Sequence, residues 1–486
     1  MAYNDLREFI DALESRGWLK RIAQPVSCEL EITEITDRVS KMKGDKNVAL
    51  LFENVIGYDM PVLMNAFGSM ERMALAFGVE QVDDIAQEIR QILKLPYISL
   101  QNKLDLVKII PTAKRAINFP KYVKNAPCQE VIIKDKPSLD KFPILKCWPG
   151  DAGQFITLPL VFTKNPLNGK RNVGMYRLQV FDGQTTGMHW HIHKNGAENY
   201  RAHRELGKDK IEVAVAIGGD PVITYAATAP LPRDIDEMVF AGFLRKKAVE
   251  MVKCQTVDVE VPAGAEIILE GYVNMDELRR EGPFGDHTGY YSLADDYPVF
   301  HITCITHRKN PIYPATIVGK PPMEDCFLAK ATERIFLPLL QTQLPEIVDI
   351  NLPLEGVFHN CAVIAIKKSY PQQAKKVMHA IWGMGQMMFT KMIIIVDEHV
   401  DVQNMNEVWW RVFNNIDAKR DIVMVDGPLD VLDHSSPMPN WGTKVGIDAT
   451  KSWAQEGQSR EWPDEIVMSP EIKKMVDDKW KDLGLE

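Results

Sequence analysis

The order of apolar and polar positions divides the chain into three textures. At the start, Leu6, Phe9, Ile10 and Leu13 recur at helical spacing, Asn4 or Asp5 is placed to cap and Gly17 to stop, so residues 4–17 read as an amphipathic helix. Residues 48–53 (VALLFE) and the run Pro61-Val62-Leu63-Met64 read as buried strands, and helical periods follow to about residue 93. This first part reads as α/β. A connection rich in Pro and Lys covers roughly 111–127.

From about 128 to 310 the runs shorten. VIIKD, LPLVFTK, MYRLQVFD, EVAVAIGG, PVITYAA, VDVEVP, AEIILEGYV and PVFHITCITH are separated by Gly, Pro and Asp, which predicts a barrel or sandwich of short strands. One helix is expected at 234–247, capped by Asp234 or Asp236. Beyond about 330, strands at 361–368, 392–398 and 421–426 alternate with helices at 374–384 and 406–415, the pattern of a small parallel sheet with covering helices. Residues 469–483 read as a closing helix with Ser469 as cap.

Composition narrows the class. A chain of 486 residues, 45% hydrophobic and 25% charged, can build two to four domains, each with its own core. The net charge of −9, with no long basic run, speaks against nucleic acid as the main partner. The seven cysteines are scattered without CxxC spacing, a reduced, cytoplasmic pattern. The opening MAYNDLREFIDALESRGWL carries acids and does not read as a signal peptide, and no apolar stretch approaches the length of a membrane span. G-x-G-x-x-G, Walker A, HExxH and G-x-S-x-G are all missing, so dinucleotide, P-loop, zinc-protease and serine-hydrolase chemistries lose their usual support.

Three constellations carry chemistry. The first is Asn172-Val-Gly-Met-Tyr-Arg177 followed by HWHIH. If 175–181 is one strand, Arg177 shares a face with Met175 and Gln179 and needs an anionic partner there, and His189, His191 and His193 fall on one side, suited to a metal or an anion. The second is Tyr225-AATAPLPRDID-Glu237, a carbonyl-rich loop beside a carboxylate that can take a hard cation; Glu237 on an ordinary exposed helix is the plainer alternative. The third is Glu281-Gly-Pro-Phe-Gly-Asp286, a tight loop able to aim two acids into one cleft, against which stands a surface turn with solvated acids.

Together these segments resemble the UbiD decarboxylase family. The resemblance runs through LREFIDALESRGWLKRI, ALLFENVIGYDMPVLMNAFGS, CWPGDAG, NVGMYRLQVFDGQTTGMHW, EGPFGDHTGYY, LPEIVDINLPLEG and TKVGIDATKSW, and is nearest to the branch that decarboxylates 3-polyprenyl-4-hydroxybenzoate in quinone biosynthesis. It implies an α+β multidomain chain: an N-terminal α/β domain (1–115), a central flavin-reductase-like split β-barrel (116–320), a C-terminal α/β domain (321–465) and a terminal helix (466–486). It also implies prenylated FMN, held by Mn2+ or a similar divalent ion, with K+ near the cofactor phosphate. Asn172, His193 and Glu237 would hold the metal, with His191 the alternative to His193; Gly174, Met175, Tyr176 and Arg177 would line the cofactor, and Lys444 would meet its phosphate. Arg177, Glu281 and Asp286 would be catalytic, Asp286 as the proton donor in an apolar pocket that raises its pKa. The implied partners are a small aromatic acid, a flavin prenyltransferase that supplies the cofactor, and further copies of the chain in a dimer or hexamer. The location is cytoplasmic, with room for peripheral membrane association. HWHIH is richer in histidine than the quinone branch leads one to expect. Rival readings are a small phenolic-acid decarboxylase or carboxylase of the same family, a metal-dependent hydrolase built on HWHIH, and a non-catalytic subunit.

Overall fold

The computed structural model describes residues 2–94, 118–190, 195–232 and 235–485; His191, His193, Asp234 and the first part of the 111–127 connection, 111–117, lie outside the described residues. The first helix, Leu6–Ser15, starts on Asp5, whose side chain accepts from the Arg7 and Glu8 N–H groups, and buries Leu6, Phe9, Ile10 and Leu13 as the periodicity predicts. Among the described residues the N-terminal sheet has four strands. Leu19–Ile22 runs parallel to Ala49–Phe52, which pairs antiparallel with Val62–Met64. Tyr313–Pro314 then adds parallel to Val62–Met64, so a segment from the far side of the central region completes this sheet. One hydrophobic cluster joins the first helix (Phe9, Leu13) to the central sheet (Leu160, Ala214, Ile268), packing the two regions as one body.

Among the described residues the central sheet has nine strands. Phe155–Ile156, Leu178–Asp182, Thr185–Gly187, Asp295–His307, Ile267–Glu281, Lys210–Ile217, Pro159–Lys164 and Arg171–Met175 follow one another, and Val131–Ile133 adds to Asp295–His307. The path is antiparallel, and its two end strands do not pair, so the sheet curls into a half-barrel, the split form expected.

Two local readings change here. MYRLQVFD is not one strand: the ladder stops at Met175 and resumes at Leu178, leaving Tyr176 and Arg177 in the break. PVITYAA is a helix, Pro221–Ala226, because Asp220 caps it through the Val222 N–H and Pro221 occupies the first turn. The helix Asn195–Glu205, in a segment too polar for the apolar pattern to mark, packs beside the same sheet. The expected helix near 234–247 is Glu237–Leu244, with Asp236 as its cap.

The C-terminal sheet has five strands, in the order Ile347–Asn351, Cys361–Ile366, Met392–Asp397, Trp441–Asp448, Ile422–Pro428. Its middle pairings are parallel and both edges antiparallel, so the third expected strand is an antiparallel edge, separated from Met392–Asp397 by Trp441–Asp448. The central strands are buried on both faces: Ile364, Ile366, Ile393 and Ile395 meet the helix Gln373–Trp382 on one side, while Val363, Ala365, Ile394 and Val396 meet Val408 and Val412 of the helix Met405–Asn415 on the other. The terminal helix is shorter than its pattern. Pro470–Asp477 is capped by Ser469 and exposed, and a single 3-10 turn follows at Lys481–Leu483.

Candidate active site

The break at Tyr176-Arg177 lets Arg177 leave the sheet ladder and cross to the loop that follows Ile267–Glu281. That loop is held from below by the CWPGDAG segment. Asp151 accepts from the Cys147 and Trp148 N–H groups through one oxygen (3.1 and 2.8 Å) and from Gly285 N–H through the other (2.7 Å). Ala152 N–H donates to Pro283 O at 2.9 Å, and Gly282 N–H to Gln179 Oε1 at 2.7 Å. Gly285 lies so close to the Trp148 indole that a Cβ there would fall 2.2 Å from a ring carbon, so this position admits only glycine.

Held in this way, both acids of the loop meet one guanidinium. Arg177 donates from Nε to Glu281 Oε1 at 3.0 Å, from one terminal nitrogen to Asp286 Oδ2, and from the other to Ser292 Oγ at 3.0 Å. The Phe284 ring supports the guanidinium from one face, 4.6 Å from centroid to Cζ. His189 Nδ1 lies 2.8 Å from the same Glu281 oxygen. The second oxygen, Glu281 Oε2, is buried with no hydrogen-bond partner among the described residues. It faces Gly187, where a Cβ would sit 3.0 Å from it.

Asp286 is 7% exposed, but its pocket is not the apolar one expected. Burial alone would raise its pKa. The His287 side chain at 2.8 Å, the charges of His287 and Arg177, and the His287 N–H at 2.8 Å outweigh burial and hold the carboxyl well below its usual range. The resting carboxyl is ionised, and the expected raised pKa does not hold.

A second cluster forms where the helix Glu237–Leu244 begins. Arg171 pairs with Asp236 at 2.6 Å, and Glu237 Oε2 accepts from Val173 N–H at 3.0 Å, which pins the helix start to the strand carrying Asn172. Glu237 is 5% exposed, not the solvated helix acid of the plainer alternative, and burial pushes its carboxyl up to about 7. The buried Tyr176 hydroxyl, which Asn172 hydrogen-bonds, is pushed up to about 12, and Gly174 lies against its ring. No three His, Cys, Asp or Glu side chains form a metal cluster among the described residues. Even so, a desolvated carboxylate without an ion-pair partner among the described residues, beside a neutral amide, is an oxygen donor set that a hard divalent cation fits.

Lys444 stands apart from both clusters. It lies on Trp441–Asp448, 2% exposed, and its ammonium donates to the Met388 carbonyl. Three further residues of the site were given no role by the sequence: Ser292 on Arg177, and His287 and His359, whose Nε2 atoms lie 2.8 Å apart across the contact between the central and C-terminal regions. His287 was legible only as part of EGPFGDHTGYY. His359 lies in a loop 72 residues further on, with nothing in its surroundings to mark it.

Comparison with known proteins shows the family and the fold. Models of the N-terminal, Rift-related and C-terminal domains of 3-octaprenyl-4-hydroxybenzoate carboxy-lyase match residues 10–91, 121–321 and 326–449. An uncharacterized protein of Archaeoglobus fulgidus is 57% identical over 485 residues, 99% of each chain. The closed form of the vanillic acid decarboxylase of Sedimentibacter hydroxybenzoicus superposes with a TM-score of 0.87 at 28% identity over the whole of both chains. An evolved dimeric form of the UbiD-class enzyme HmfF from Pelotomaculum thermopropionicum, in complex with prFMN, superposes with a TM-score of 0.80 at 28% identity over 97% of this chain and 98% of that one.

Proposed function

Because this chain belongs to the UbiD family of carboxy-lyases, we propose that it removes CO2 from an aromatic acid without net oxidation, reversibly, on prenylated FMN. The observation that carries the proposal is the convergence of Glu281 and Asp286 on Arg177 beneath a buried, unsatisfied Glu281 oxygen. Breaking an aryl–CO2 bond leaves an electron pair that no side chain absorbs, and the modified flavin supplies the electron sink when bound.

The chain's own residues do the rest. Of the five guanidinium N–H donors of Arg177, three are engaged by Glu281, Asp286 and Ser292, which leaves two for the substrate carboxylate. Glu281 holds the guanidinium in that orientation. A carboxylate arriving on Arg177 withdraws part of the charge that keeps Asp286 ionised and favours its protonation. Asp286 then gives that proton to the ring carbon that has lost CO2, and takes it back in carboxylation. Asn172, Glu237 and His193, or His191 in its place, would hold Mn2+ or a similar ion on the cofactor phosphate, with K+ beside it and Lys444 as the phosphate lysine. Gly174, Met175 and Tyr176 would line the cofactor.

For the substrate we infer a 3-polyprenyl-4-hydroxybenzoate, supported by the spread of quinone-branch segments from Leu6 to Trp453. A small phenolic acid is the second reading, favoured by the likeness to a vanillic acid decarboxylase. No helix among the described residues is long and apolar enough to cross a membrane. We further propose a homo-oligomer, dimer or hexamer, in the cytoplasm, meeting a prenylated substrate at the membrane surface. Co-expression with a flavin prenyltransferase, followed by the absorbance spectrum and mass of the released cofactor, tests the cofactor. Unmodified FMN alone, with full turnover, would overturn it. A panel of hydroxybenzoates with and without a 3-prenyl chain separates the two substrates.

A further inference from the structure

The EGPFGDHTGYY loop does not end its contacts at Asp286. His287 Nδ1 lies 2.8 Å from Asp286 Oδ1, and His287 Nε2 lies 2.8 Å from His359 Nε2, which belongs to the C-terminal region. Two facing ring nitrogens at that distance share one proton, so one ring donates and the other accepts. Since Asp286 is an acceptor, a His287 that donates from both nitrogens satisfies both contacts, with His359 as the neutral acceptor. The Phe358 ring lies over His287 at 5.2 Å and 22° and fixes its plane.

The loop that presents Phe358 and His359 is held in a costly conformation. Val357 (φ 43°) and Phe358 (φ 52°) are consecutive non-glycine residues in the left-handed region, the first of them β-branched. The surrounding charges agree with a doubly protonated His287. Asp286 on its own loop, Asp325 at the start of the helix Glu324–Gln343 and Asp430 beyond the strand Ile422–Pro428 all favour its charged form, while Asp430, Asp433 and Asp286 face His359. Burial would lower the His287 pKa, but the Asp286 contact and these acids raise it, whereas burial and the neighbouring His287 charge push His359 down.

We propose that His359 is a positioning residue which, by accepting a hydrogen bond from the His287 Nε2–H when the two regions are in contact, keeps one proton stored on His287 Nδ1 beside Asp286. The step balances within the chain. The Nδ1 proton of His287 passes to Asp286 Oδ1, leaving neutral His287 and a carboxylic acid, and the acid passes it to the substrate carbon. The His287–His359 contact thereby ties the acid's supply to the docking of the C-terminal region. This rests on the assignment of Asp286 as proton donor, and the test separates the two.

The side-chain 15N–1H spectrum of histidine-labelled, cofactor-loaded enzyme, with His287 assigned by His287→Gln, is followed against pH for wild type, His359→Phe and His359→Gln. His359→Phe keeps the bulk but removes the acceptor, so the pH at which His287 loses its second proton should fall. His359→Gln restores an acceptor oxygen and should bring it back toward wild type. On any hydroxybenzoate the enzyme turns over, the alkaline limb of kcat should move to lower pH in His359→Phe, with kcat at pH 8 down about tenfold and KM little changed. An unshifted His287 titration in folded His359→Phe would sink the inference while leaving Asp286 as the donor. Undiminished turnover in Asp286→Asn would instead sink the donor assignment.

Discussion

Asp286 and Glu237 are both carboxyls more than nine-tenths buried against the central half-barrel, yet their surroundings drive them in opposite directions. Asp286 lies among Arg177 and His287 and stays ionised far into acid. Glu237 has only backbone N–H groups, its own and that of Val173, while its neighbour Arg171 is taken by Asp236, and burial raises its pKa to about 7. Burial is common to both, so it does not decide which form a carboxyl takes; the partners do. Asp286 finds its partners among the described residues, and the first arrangement reads as a charge network around a proton-transfer site. The second is incomplete within the described residues and reads as a seat for a cation.

Exchanging partners should break this contrast most visibly in turnover. Asp286→Asn removes the only proposed donor to the ring carbon, and kcat should fall by about a thousandfold or more with prenylated FMN still bound, read from steady-state rates and the flavin spectrum together. Arg177→Lys keeps the charge but loses the planar fork that serves Glu281, Asp286 and the substrate at once. A fall of about a hundredfold in kcat/KM is expected.

The same neutralising change should have opposite effects on the two carboxyls in metal-free protein. The Asp286 pKa is depressed on folding, so its contribution is present above its ordinary range and lost as pH falls toward the folded value; at neutral pH, Asp286→Asn should destabilise by about 3–5 kcal/mol. The Glu237 pKa is raised, so ionising it disfavours the fold as pH climbs from its ordinary value through about 7; at pH 8, Glu237→Gln should stabilise the metal-free chain by about 3 kcal/mol in urea unfolding. Since a metal takes the ionised form, Mn2+ affinity should weaken about tenfold per pH unit below 7, and Glu237→Ala should lose the flavin absorbance on purification. The smallest effect belongs to Gly187→Ala. Its Cβ would press on Glu281 Oε2 at 3.0 Å and on the Phe181 ring at 3.3 Å, destabilising by about 1–2 kcal/mol, seen as a lower urea midpoint.

Much of the fold was legible because its signals are local. The first helix, the strands at Ala49–Phe52 and Val62–Met64, the β-rich middle and the alternating C-terminal pattern all follow from apolar periodicity. Misreadings arose where a cap or a distant strand overrode that pattern. The Asp220 cap turned PVITYAA into a helix, and the long reach of Trp441–Asp448 displaced Ile422–Pro428 to an edge. Arg177, Glu281 and Asp286 could be named in advance, but not the state of Asp286, because its charge depends on His287 and on a guanidinium arriving from 109 positions away.

What the sequence alone determined is the set of elements and the inventory of chemistry: which segments are apolar enough to be covered, which loop carries two acids five residues apart, and which residues can donate, accept or coordinate. Those properties belong to side chains and to their neighbours along the chain. What only the tertiary structure decided is where Tyr313–Pro314 closes the N-terminal sheet, how Arg177 leaves the ladder to bind two carboxylates, and that His359 faces His287. Each of these needs groups distant along the chain to meet in a region sheltered from water, where a charge is kept or lost according to the partner beside it.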